Sequence, residues 1–365
     1  MRLRTRRKGG KFIKSGTFGC MFNPALKCSG SNTRKKGYIT KAIVEEDAAK
    51  EWKYTAVPRR LNTAFQYFIY PNKQCKPGEI DASDEYGKCH VNADKAILLQ
   101  SPYGGTDLDD IRVPLSEIPA LYAGFVNIFD GLALLHSEKI AHKDIKPPNI
   151  LGLRRDDGSY HLRLIDFGIS RPFPHLMKYV NTVNYAYWPY EIRLLDPNFT
   201  PTKADIDEFM SRIQWANFPD WLYRKPNRDN KITVDMAQAM QQRIQSGGEA
   251  VKEQIIVASD VFALGRTLGE VWTQQTSYVF DDGGVVVKIK PHYPYIKHDA
   301  SLALFDLVAN MCNLNPFARI TLEEAKARFI ALLPIINDCI VDAVTHDSAV
   351  PPVKRARTPH KKGYI

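Results

Sequence analysis

A polar loop that combines a carboxylate, an ammonium and an amide constrains this chain more than any other stretch. It reads I-A-H-K-D-I-K-P-P-N over residues 140–149, with a predicted helix before it and a short apolar strand after it. Asp144 can accept a proton from a hydroxyl group, Lys146 can steady a phosphate during transfer, and Asn149 can hold a metal ion. The loop therefore predicts phosphoryl-transfer chemistry, and the rest of the chain reads most simply as its support.

A second motif, L-I-D-F-G, places Asp166 seventeen residues after Asn149, at the end of a strand predicted over 162–165. Hard oxygen ligands from two loops suit Mg²⁺, which bridges phosphates. Together, H-K-D-I-K-P-P-N and D-F-G resemble the catalytic and metal-binding loops of the eukaryotic-type Ser/Thr protein kinases. The alternative is a capped, hydrogen-bonded turn without chemistry, formed by His142, Asp144 and Asn149.

This resemblance implies an α+β, bilobal protein-kinase-like fold, with a small β-rich N-lobe and a larger, mainly helical C-lobe. It also implies ATP and Mg²⁺ as cofactors. The 365 residues suffice for a large core in two or three domains. The predicted parts are a basic tail at 1–10, an N-lobe at 11–101 with an insertion at about 71–92, a C-lobe at 102–341 with an insertion at about 199–256, and a basic tail at 342–365.

The segment S-G-T-F-G, between strands predicted at 11–14 and 20–23, is similar to the second half of the kinase glycine-rich loop. Its glycines let backbone N–H groups approach phosphate oxygens, and its phenylalanine caps the loop tip. The family's first glycine and its apolar lid residue are replaced here by Lys14 and Met21. The ATP-binding residues implied in this segment are Lys14, Ser15, Gly16, Thr17, Phe18, Gly19 and Met21.

Lys41 lies in G-Y-I-T-K-A-I-V, which predicts a strand over 38–44, and corresponds to the lysine that contacts the α- and β-phosphates. Its alternative is an edge-strand lysine that faces water. The polar stretch E-E-D-A-A-K-E-W-K-Y predicts a helix that carries the partner of Lys41. Glu51 is the chosen partner and Glu46 the rival. Ile39 stands above the expected adenine, where the family usually has alanine.

A strand is predicted over 64–70 and another over 95–99, followed by a hinge. Backbone groups near Gln100 and Pro102 are expected to bind adenine, and Gly104-Gly105 to break the chain between lobes. Apolar residues repeat at helical spacing over 118–136, so a core helix is expected to deliver the catalytic loop.

Three further residues match the family in the predicted large lobe. Glu191 in Y-W-P-Y-E stands in the place of the A-P-E glutamate, and its expected partner is Arg319, as a buried ion pair. Asp260 in S-D-V-F-A-L-G is expected to open a helix and to tie down the backbone of the catalytic loop. A hairpin is expected to turn at Asp281 to Gly284.

Regulation is expected to depart from the family. Lys143 stands where an arginine commonly receives a phosphate on the activation segment, and lysine attracts phosphate only as a point charge. Candidate acceptors are Tyr179, Thr182 and Tyr185, although Thr182 lies farther from Glu191 than the family's threonine does. We therefore expect an enzyme that does not depend on phosphorylation of this segment.

The six cysteines are scattered and form no C-x-x-C pair, so we expect reduced thiols in a cytoplasmic or nuclear setting. A zinc site made by Cys28, Cys75, Cys89 and His90 is the alternative, although the spacing matches no compact pattern. The N-terminus lacks the apolar core of a signal peptide, and we expect neither secretion nor a membrane span.

The formal net charge of +10 is concentrated at the two chain ends. Clustered Lys and Arg in apolar-poor segments are typical of flexible tails. Such tails can contact nucleic acid, acidic surfaces or a nuclear import receptor, and they can equally serve only as solvated, solubilising segments.

The resemblance implies transfer of the γ-phosphate of Mg·ATP to Ser or Thr hydroxyls of protein substrates, with Asp144, Lys146 and Lys41 as catalytic residues. Lys146 favours Ser/Thr over Tyr as the acceptor. A small-molecule phosphotransferase and a pseudokinase scaffold are the alternatives, the latter suggested by Lys14 and Ile39. The opening G-G-K-F-I-K-S-G-T-F-G-C-M-F-N-P and the insertions are also similar to the divergent kinases of large DNA viruses, which implies a host-cell or virion location.

Overall fold

In the computed structural model, the described residues are 10–16, 19–61, 65–81, 83–178, 185, 187–215, 232–276, 278–280, 286–288 and 299–347. A sheet-rich N-terminal region precedes a mainly helical region, as the sequence predicts. The chain crosses between them at Gly104 and Gly105. Gly105 has φ +102°, and a Cβ there would lie 2.0 Å from the carbonyl oxygen of Gly152, so only glycine fits this crossing.

The N-terminal region is an antiparallel five-stranded sheet in the order β1-β2-β3-β5-β4. Its strands are β1 Lys11–Gly16, β2 Gly19–Asn23, β3 Tyr38–Val44, β4 Lys73–Cys75 and β5 Ala96–Pro102. Two helices, α1 Glu45–Tyr54 and α2 Ala56–Arg60, follow β3 directly. The predicted strand at 38–44 and the predicted helix at 45–54 have the bounds that the structure shows.

Successive residues of β5 are buried in two different clusters, because side chains alternate across a sheet. Leu98 packs with Phe22 and Tyr86 on one face. Leu99 packs with Ala48 and Trp52 of α1 on the other. Helix α1 is thereby fixed against the sheet beside β3.

The strand predicted over 64–70 is wrong: residues 65–70 form bends and one isolated parallel bridge, between Phe68 and Leu164. Ile69 N donates to Leu164 O at 2.9 Å, and the Phe68 ring packs edge-on against Phe167, so this segment is bound to the helical region. The fifth strand of the sheet is instead β4, which lies inside the predicted insertion at 71–92.

Two disulfides contradict the expectation of reduced thiols. Cys20 is bonded to Cys89 and Cys28 to Cys75, so both bonds tie the 71–92 segment to the start of the chain. The zinc alternative is also wrong for these sulfurs, because each is paired with another sulfur. The partners are 69 and 47 residues apart, so local spacing could not indicate them. Cys312 and Cys339 are buried free thiols.

The helical region contains α3 Ile118–Ala123, α4 Phe125–Ser137, α5 Phe173–Lys178, α6 Lys203–Trp215, α7 Val234–Ser246, α8 Gly248–Thr276, α9 Asp299–Met311 and α10 Leu322–Asp347. Its short strands are β6 Thr106–Asp107, β7 Ile140–Ala141, β8 Ile150–Arg154, β9 Tyr160–Leu164 and β10 Arg171–Pro172. They form an antiparallel sheet in the order β6-β8-β9 and an antiparallel pair, β7 with β10. Helix α8 crosses the large core with Phe262, Leu268 and Trp272 fully buried.

The helix predicted over 118–136 is divided at Gly124, where a Cβ would lie 2.7 Å from the Tyr160 carbonyl oxygen. By length and composition, the stretch Leu115–Ser137 is long and apolar enough to cross a membrane, contrary to the expectation from the sequence. Most of its large apolar side chains, including Phe125 and Leu132, are buried in the large core.

The insertion predicted at 199–256 does not end at an element boundary. The sequence predicts that Asp260 opens a helix, and this prediction is wrong. Helix α8 begins at Gly248, so Asp260 lies inside a 29-residue helix. Helix α7 packs against the 3-10 segment Tyr190–Leu195, where Gln245 Nε2 donates to Leu194 O at 2.9 Å. Residues 216–231 lie outside the described residues.

Two predictions concern segments that are described only in part. β11 Tyr278–Phe280 and β12 Val286–Lys288 form the expected antiparallel hairpin, while its turn lies outside the described residues. Helix α10 continues to Asp347, so the predicted C-terminal tail at 342–365 begins as helix. Residues 1–9 and 348–365 of the two tails lie outside the described residues.

Candidate active site

The carboxylate of Asp144 lies at the centre of the loop between β7 and β8. Asn149 Nδ2 donates to Asp144 Oδ2 at 2.7 Å and to the Asp144 carbonyl oxygen at 2.9 Å. Lys146 Nζ lies 3.0 Å from Asp144 Oδ1. The three side chains that the sequence predicts to act together are therefore in direct contact.

Asp260 fixes the backbone of this loop. Its Oδ2 accepts the N–H of His142 at 2.8 Å, and its Oδ1 accepts the N–H of Lys143 at 2.9 Å. Burial raises the pKa of Asp260, but the hydrogen bond from His136 and the neighbouring charges outweigh it, so the pKa is lowered and the carboxylate stays ionised. Lys143 has φ +69°, a left-handed conformation that these bonds hold in place.

The ring of His142 is buried and contacts the backbone of Asp144. His142 Nδ1 accepts the N–H of Asp144 at 3.3 Å, which leaves the ring proton on Nε2. Burial lowers the pKa of His142 despite the nearby carboxylates of Asp260 and Asp144. The imidazole is thus a neutral structural group.

The two predicted metal ligands are brought together by the pairing of β8 with β9. Ile150 pairs with Leu164, and Ile165 N donates to Asn149 O at 3.0 Å, so Asn149 and Asp166 occupy neighbouring strand ends. Because the Asn149 nitrogen is bound to Asp144, its side-chain oxygen is the atom left for a cation. Together with the carboxylate of Asp166, this hard-oxygen set fits Mg²⁺.

The ion pair of Lys41 selects between the two candidate glutamates. Lys41 Nζ lies 2.5 Å from Glu51 Oε2, whereas Glu46 pairs with Lys50 at 2.7 Å on the exposed side of α1. Burial raises the pKa of Glu51, and the charge of Lys41 opposes that rise. The predicted partner is present, and it fixes the direction of the Lys41 side chain.

In the glycine-rich segment, the side chain of Lys14 contacts the helical region. The Lys14 ammonium is paired with the buried carboxylate of Asp107 in β6, so it is already engaged by the protein. This partner comes 93 residues later in the chain, and no local pattern indicates it. Ser15 Oγ lies 2.9 Å from His90 Nδ1 of the disulfide-bonded 71–92 segment.

The glycines of this segment differ in what surrounds them. A Cβ at Gly19 would lie 2.4 Å from the Ala42 carbonyl oxygen, whereas a Cβ at Gly16 would meet no atom within 4 Å. Gly19 therefore permits close pairing of β2 with β3, whereas the space beside Gly16 would also hold a larger side chain. Met21 pairs with Lys41 across these strands, and Thr17 and Phe18 lie outside the described residues.

The predicted adenine contacts are only partly available. Gln100 is buried, its carbonyl oxygen accepts the N–H of Asn72 at 3.0 Å, and its side chain donates to Leu26 O. Pro102 has no backbone N–H to donate. Ile39 is buried in β3, opposite Ser101. The structure thus engages Gln100 within the sheet, and its contact with adenine stays a prediction.

Sequence reasoning missed how the segment between Asp166 and Glu191, the predicted activation segment, contacts the loop of Asp144. Tyr185 Oη donates to Asp144 Oδ1 at 2.7 Å, and Trp188 Nε1 donates to Lys143 O at 2.6 Å. The Lys143 ammonium lies 4.3 Å from the centroid of the Trp188 ring. The run of aromatic residues in Y-A-Y-W was the available signal. Tyr179 and Thr182 lie outside the described residues.

The predicted pair of Glu191 and Arg319 is present, and both side chains are fully buried. Arg319 Nη1 also donates to Ala258 O at 2.8 Å, and its Nη2 donates to Asn313 O at 2.6 Å. The guanidinium therefore joins the end of the activation segment to α8 and to the loop after α9.

Comparisons with known proteins agree with this geometry. The family model for the protein kinase domain matches residues 90–206. Death-associated protein kinase 2 of Mus musculus is 35% identical over 91 residues, which is 24% of each chain. The chloroplastic serine/threonine-protein kinase STN7 of Arabidopsis thaliana is 26% identical over 244 residues, 58% of this chain and 39% of the relative. Mitogen-activated protein kinase kinase kinase kinase 3 of Rattus norvegicus is 34% identical over 127 residues, 34% of this chain and 14% of the relative.

The chain thus spans well under half the length of each of these relatives. The matches support a eukaryotic-type protein kinase, and the sheet-rich region followed by a helical region is consistent with that fold. The family match includes Asp144, Asn149 and Asp166, whereas Lys41 and Arg319 lie outside it. The places of these two residues rest on the ion pairs with Glu51 and Glu191 alone.

Proposed function

We propose that this protein is an ATP-dependent protein kinase that transfers the γ-phosphate of Mg·ATP to Ser and Thr hydroxyls of proteins. The observation that carries the proposal is the arrangement around Asp144, whose carboxylate contacts both Lys146 and Asn149 on a loop anchored by Asp260. A carboxylate and an ammonium held this close can orient a hydroxyl and balance the charge of a phosphate.

Each residue has a distinct part in the proposed reaction. Asp144 orients the acceptor hydroxyl and receives its proton, while Lys146 stabilises charge on the transferring group. Lys41, aligned by Glu51, binds the α- and β-phosphates. Mg²⁺ bound by Asn149 and Asp166 would neutralise phosphate charge.

The acceptor, the partners and the location belong to the proposal as well. Lys146 supports Ser/Thr hydroxyls over Tyr hydroxyls on protein substrates, and the basic tails are proposed contacts for nucleic acid or an import receptor. A cytoplasmic or nuclear location is proposed, or a virion if the resemblance to kinases of large DNA viruses holds. Among these locations, a virion is the one in which the two disulfides persist most readily.

A pseudokinase scaffold is the second candidate, and the engaged Lys14 favours it. The ion pair with Asp107 places a side chain of the glycine-rich segment against the helical region, beside the expected nucleotide site. A small-molecule phosphotransferase is less well supported, because Arg319 and Glu191 form the buried pair that the resemblance to protein kinases implies.

The deciding experiment incubates the purified full-length chain with Mg·[γ-³²P]ATP and a mixed pool of proteins. Asp144→Asn and Asp166→Asn should each lower phosphate incorporation by several powers of ten without loss of thermal stability. Asp157→Asn, on an exposed turn, is the matched control and should retain full activity. Equal phosphate incorporation by the wild type and Asp144→Asn would refute the proposed kinase activity and would favour the pseudokinase scaffold.

A further inference from the structure

The hairpin that carries the glycine-rich segment packs against a distant stretch of the chain, residues 84–91. On β1, the backbone N–H of Phe12 donates to Glu85 Oε2 at 3.2 Å. On β2, the ring of Phe22 stacks on the ring of Tyr86, with centroids 5.4 Å apart. The 84–91 segment therefore contacts both strands of the hairpin.

A covalent bond joins this segment to the hairpin at the end of the glycine-rich turn. Cys20 directly follows Gly19, is fully buried and is bonded to Cys89. The neighbour of Cys89, His90, places its Nδ1 atom 2.9 Å from Ser15 Oγ and 3.6 Å from Cys20 Sγ. The disulfide and the imidazole thus hold the turn on both of its sides.

The bonded end of β2 lies beside the lysine that is proposed to bind ATP. Cys20 pairs with Ala42, and Met21 pairs with Lys41. Since neighbouring residues of a strand point to opposite faces, the disulfide holds the sheet from the face opposite Lys41. A glycine-rich turn binds phosphate through backbone N–H groups, and fixing that backbone in advance lowers the entropy lost on binding. The disulfide is therefore placed to pre-organise the proposed ATP site.

We propose that the Cys20–Cys89 disulfide is a reducible site that sets the affinity of this chain for Mg·ATP. The inference rests on the proposed kinase activity and names a regulation of its nucleotide site. Cys89 is partly exposed, whereas Cys20 has no exposed surface, so a dissolved thiol is expected to attack the sulfur of Cys89.

The reaction is thiol–disulfide exchange with a dithiol. One thiolate of the dithiol bonds to Cys89 Sγ as the bond between the two protein sulfurs breaks. The electron pair of that bond leaves on Cys20, which takes up a proton. The second thiolate then displaces Cys89, which also takes up a proton. The dithiol is oxidised to its own disulfide, and its two electrons have reduced the protein disulfide to two thiols.

Reduction removes the covalent link between β2 and the 84–91 segment, while the hydrogen bond of Glu85 and the stacked rings remain. The glycine-rich turn then has more conformations to lose when it binds a nucleotide. We expect the Kd for Mg·ATP to rise roughly three- to tenfold. Because reducing compartments break accessible disulfides, the chain would bind ATP more tightly in oxidising surroundings.

The second disulfide supplies a matched control. Cys28 and Cys75 also join the 71–92 segment to the start of the chain. Cys75, however, lies in β4, at the opposite edge of the sheet from β1, and Cys28 follows the end of β2. Reduction of this bond should therefore leave the glycine-rich hairpin held by Cys89.

The test measures binding of Mg·ATP by isothermal titration calorimetry, with and without dithiothreitol. Full-length Cys28→Ser/Cys75→Ser keeps the proposed site, and its Kd should rise by the expected factor on reduction and fall again after reoxidation with oxidised glutathione. Cys20→Ser/Cys89→Ser should bind as weakly as the reduced protein from the start and should not respond to dithiothreitol. Thermal unfolding of each sample checks that both states are folded.

The wild type gives the same test if either variant does not fold. Its Kd should rise in step with alkylation of Cys20 and Cys89, as followed by peptide mass spectrometry, and not with alkylation of Cys28 and Cys75. A Kd that is unchanged or lowered after reduction of Cys20–Cys89 would overturn this inference and leave the proposed function standing. Loss of the unfolding transition on reduction would show that the bond is only structural and would overturn the inference as well. No binding of Mg·ATP in either state would overturn both proposals.

Discussion

Lys41 Nζ and Glu51 Oε2 are 2.5 Å apart and join the third strand of the sheet to the helix that follows it. Both side chains of the pair are partly buried. The ion pair restricts the rotamers of Lys41 and thereby fixes the direction of its ammonium group. The rival, Glu46, instead pairs with Lys50 on the same helix and has a largely exposed side chain. The two glutamates therefore offer a matched test of the site.

Glu51→Gln should lower kcat/KM for ATP by roughly tenfold or more, because the lysine loses the charge that aligns it. Glu46→Gln should leave kcat/KM within about twofold of wild type, since an exposed i,i+4 pair contributes little. Steady-state kinetics with varied ATP measure both effects. Equal kinetics for the two variants would show that the ion pair has no part in nucleotide use.

Glu191→Gln should destabilise the protein strongly. Removing one member of a fully buried ion pair leaves an uncompensated charge on Arg319 and typically costs about 3–5 kcal/mol. Urea unfolding gives the change in free energy. Asp306→Asn, which breaks the exposed pair with Arg328, is the control and should cost about 0–1 kcal/mol. Similar losses for both variants would contradict a structural role for the buried pair.

Lys143 should make stability depend on pH in alkaline solution. Burial, aided by Arg171, lowers the pKa of Lys143 from 10.5 to about 8. Between these values the unfolded chain binds a proton that the folded chain does not, so the free energy of unfolding rises with pH. The destabilising effect is fully present below pH 8 and is relieved as pH approaches 10.5.

Lys143→Arg supplies the comparison, because arginine stays charged throughout this range. We expect the wild type to gain stability relative to Lys143→Arg between pH 8 and pH 10, as measured by urea unfolding at each pH. Parallel curves for the two proteins over this range would show that the Lys143 ammonium is not desolvated in the folded state.

The disulfides should protect four of the six cysteines from alkylation in denatured, unreduced protein. Peptide mass spectrometry should recover Cys20 linked to Cys89 and Cys28 linked to Cys75. Cys20→Ser/Cys89→Ser should lower the free energy of unfolding by roughly 2–5 kcal/mol, and reductant should lower it further only through the remaining bond. Alkylation of Cys20, Cys28, Cys75 and Cys89 in unreduced, denatured protein would restore the expectation of free thiols.

The local chemistry of the site could be predicted from the sequence because it is encoded at short range. Asp144, Lys146 and Asn149 lie within six residues, and a loop that short brings them together in almost any conformation that packs. The strand of Lys41 and the helix of Glu51 could also be predicted, because the pattern of charged and apolar residues changes at the boundaries of these two elements. The two long-range pairs, Glu191 with Arg319 and Asp260 with the loop, came from resemblance to a family.

Only the tertiary structure decided which distant groups meet. Lys14 pairs with Asp107, which lies 93 residues later in the chain. Cys20 and Cys28, which the sequence predicts as thiols, bond to cysteines of a segment that the sequence predicts as an insertion. Tyr185 Oη contacts Asp144 Oδ1 although the two residues are 41 positions apart, and no local spacing indicates this contact. These outcomes depend on how the sheet, α8 and the activation segment pack, and packing is a property of the whole chain that no local pattern records.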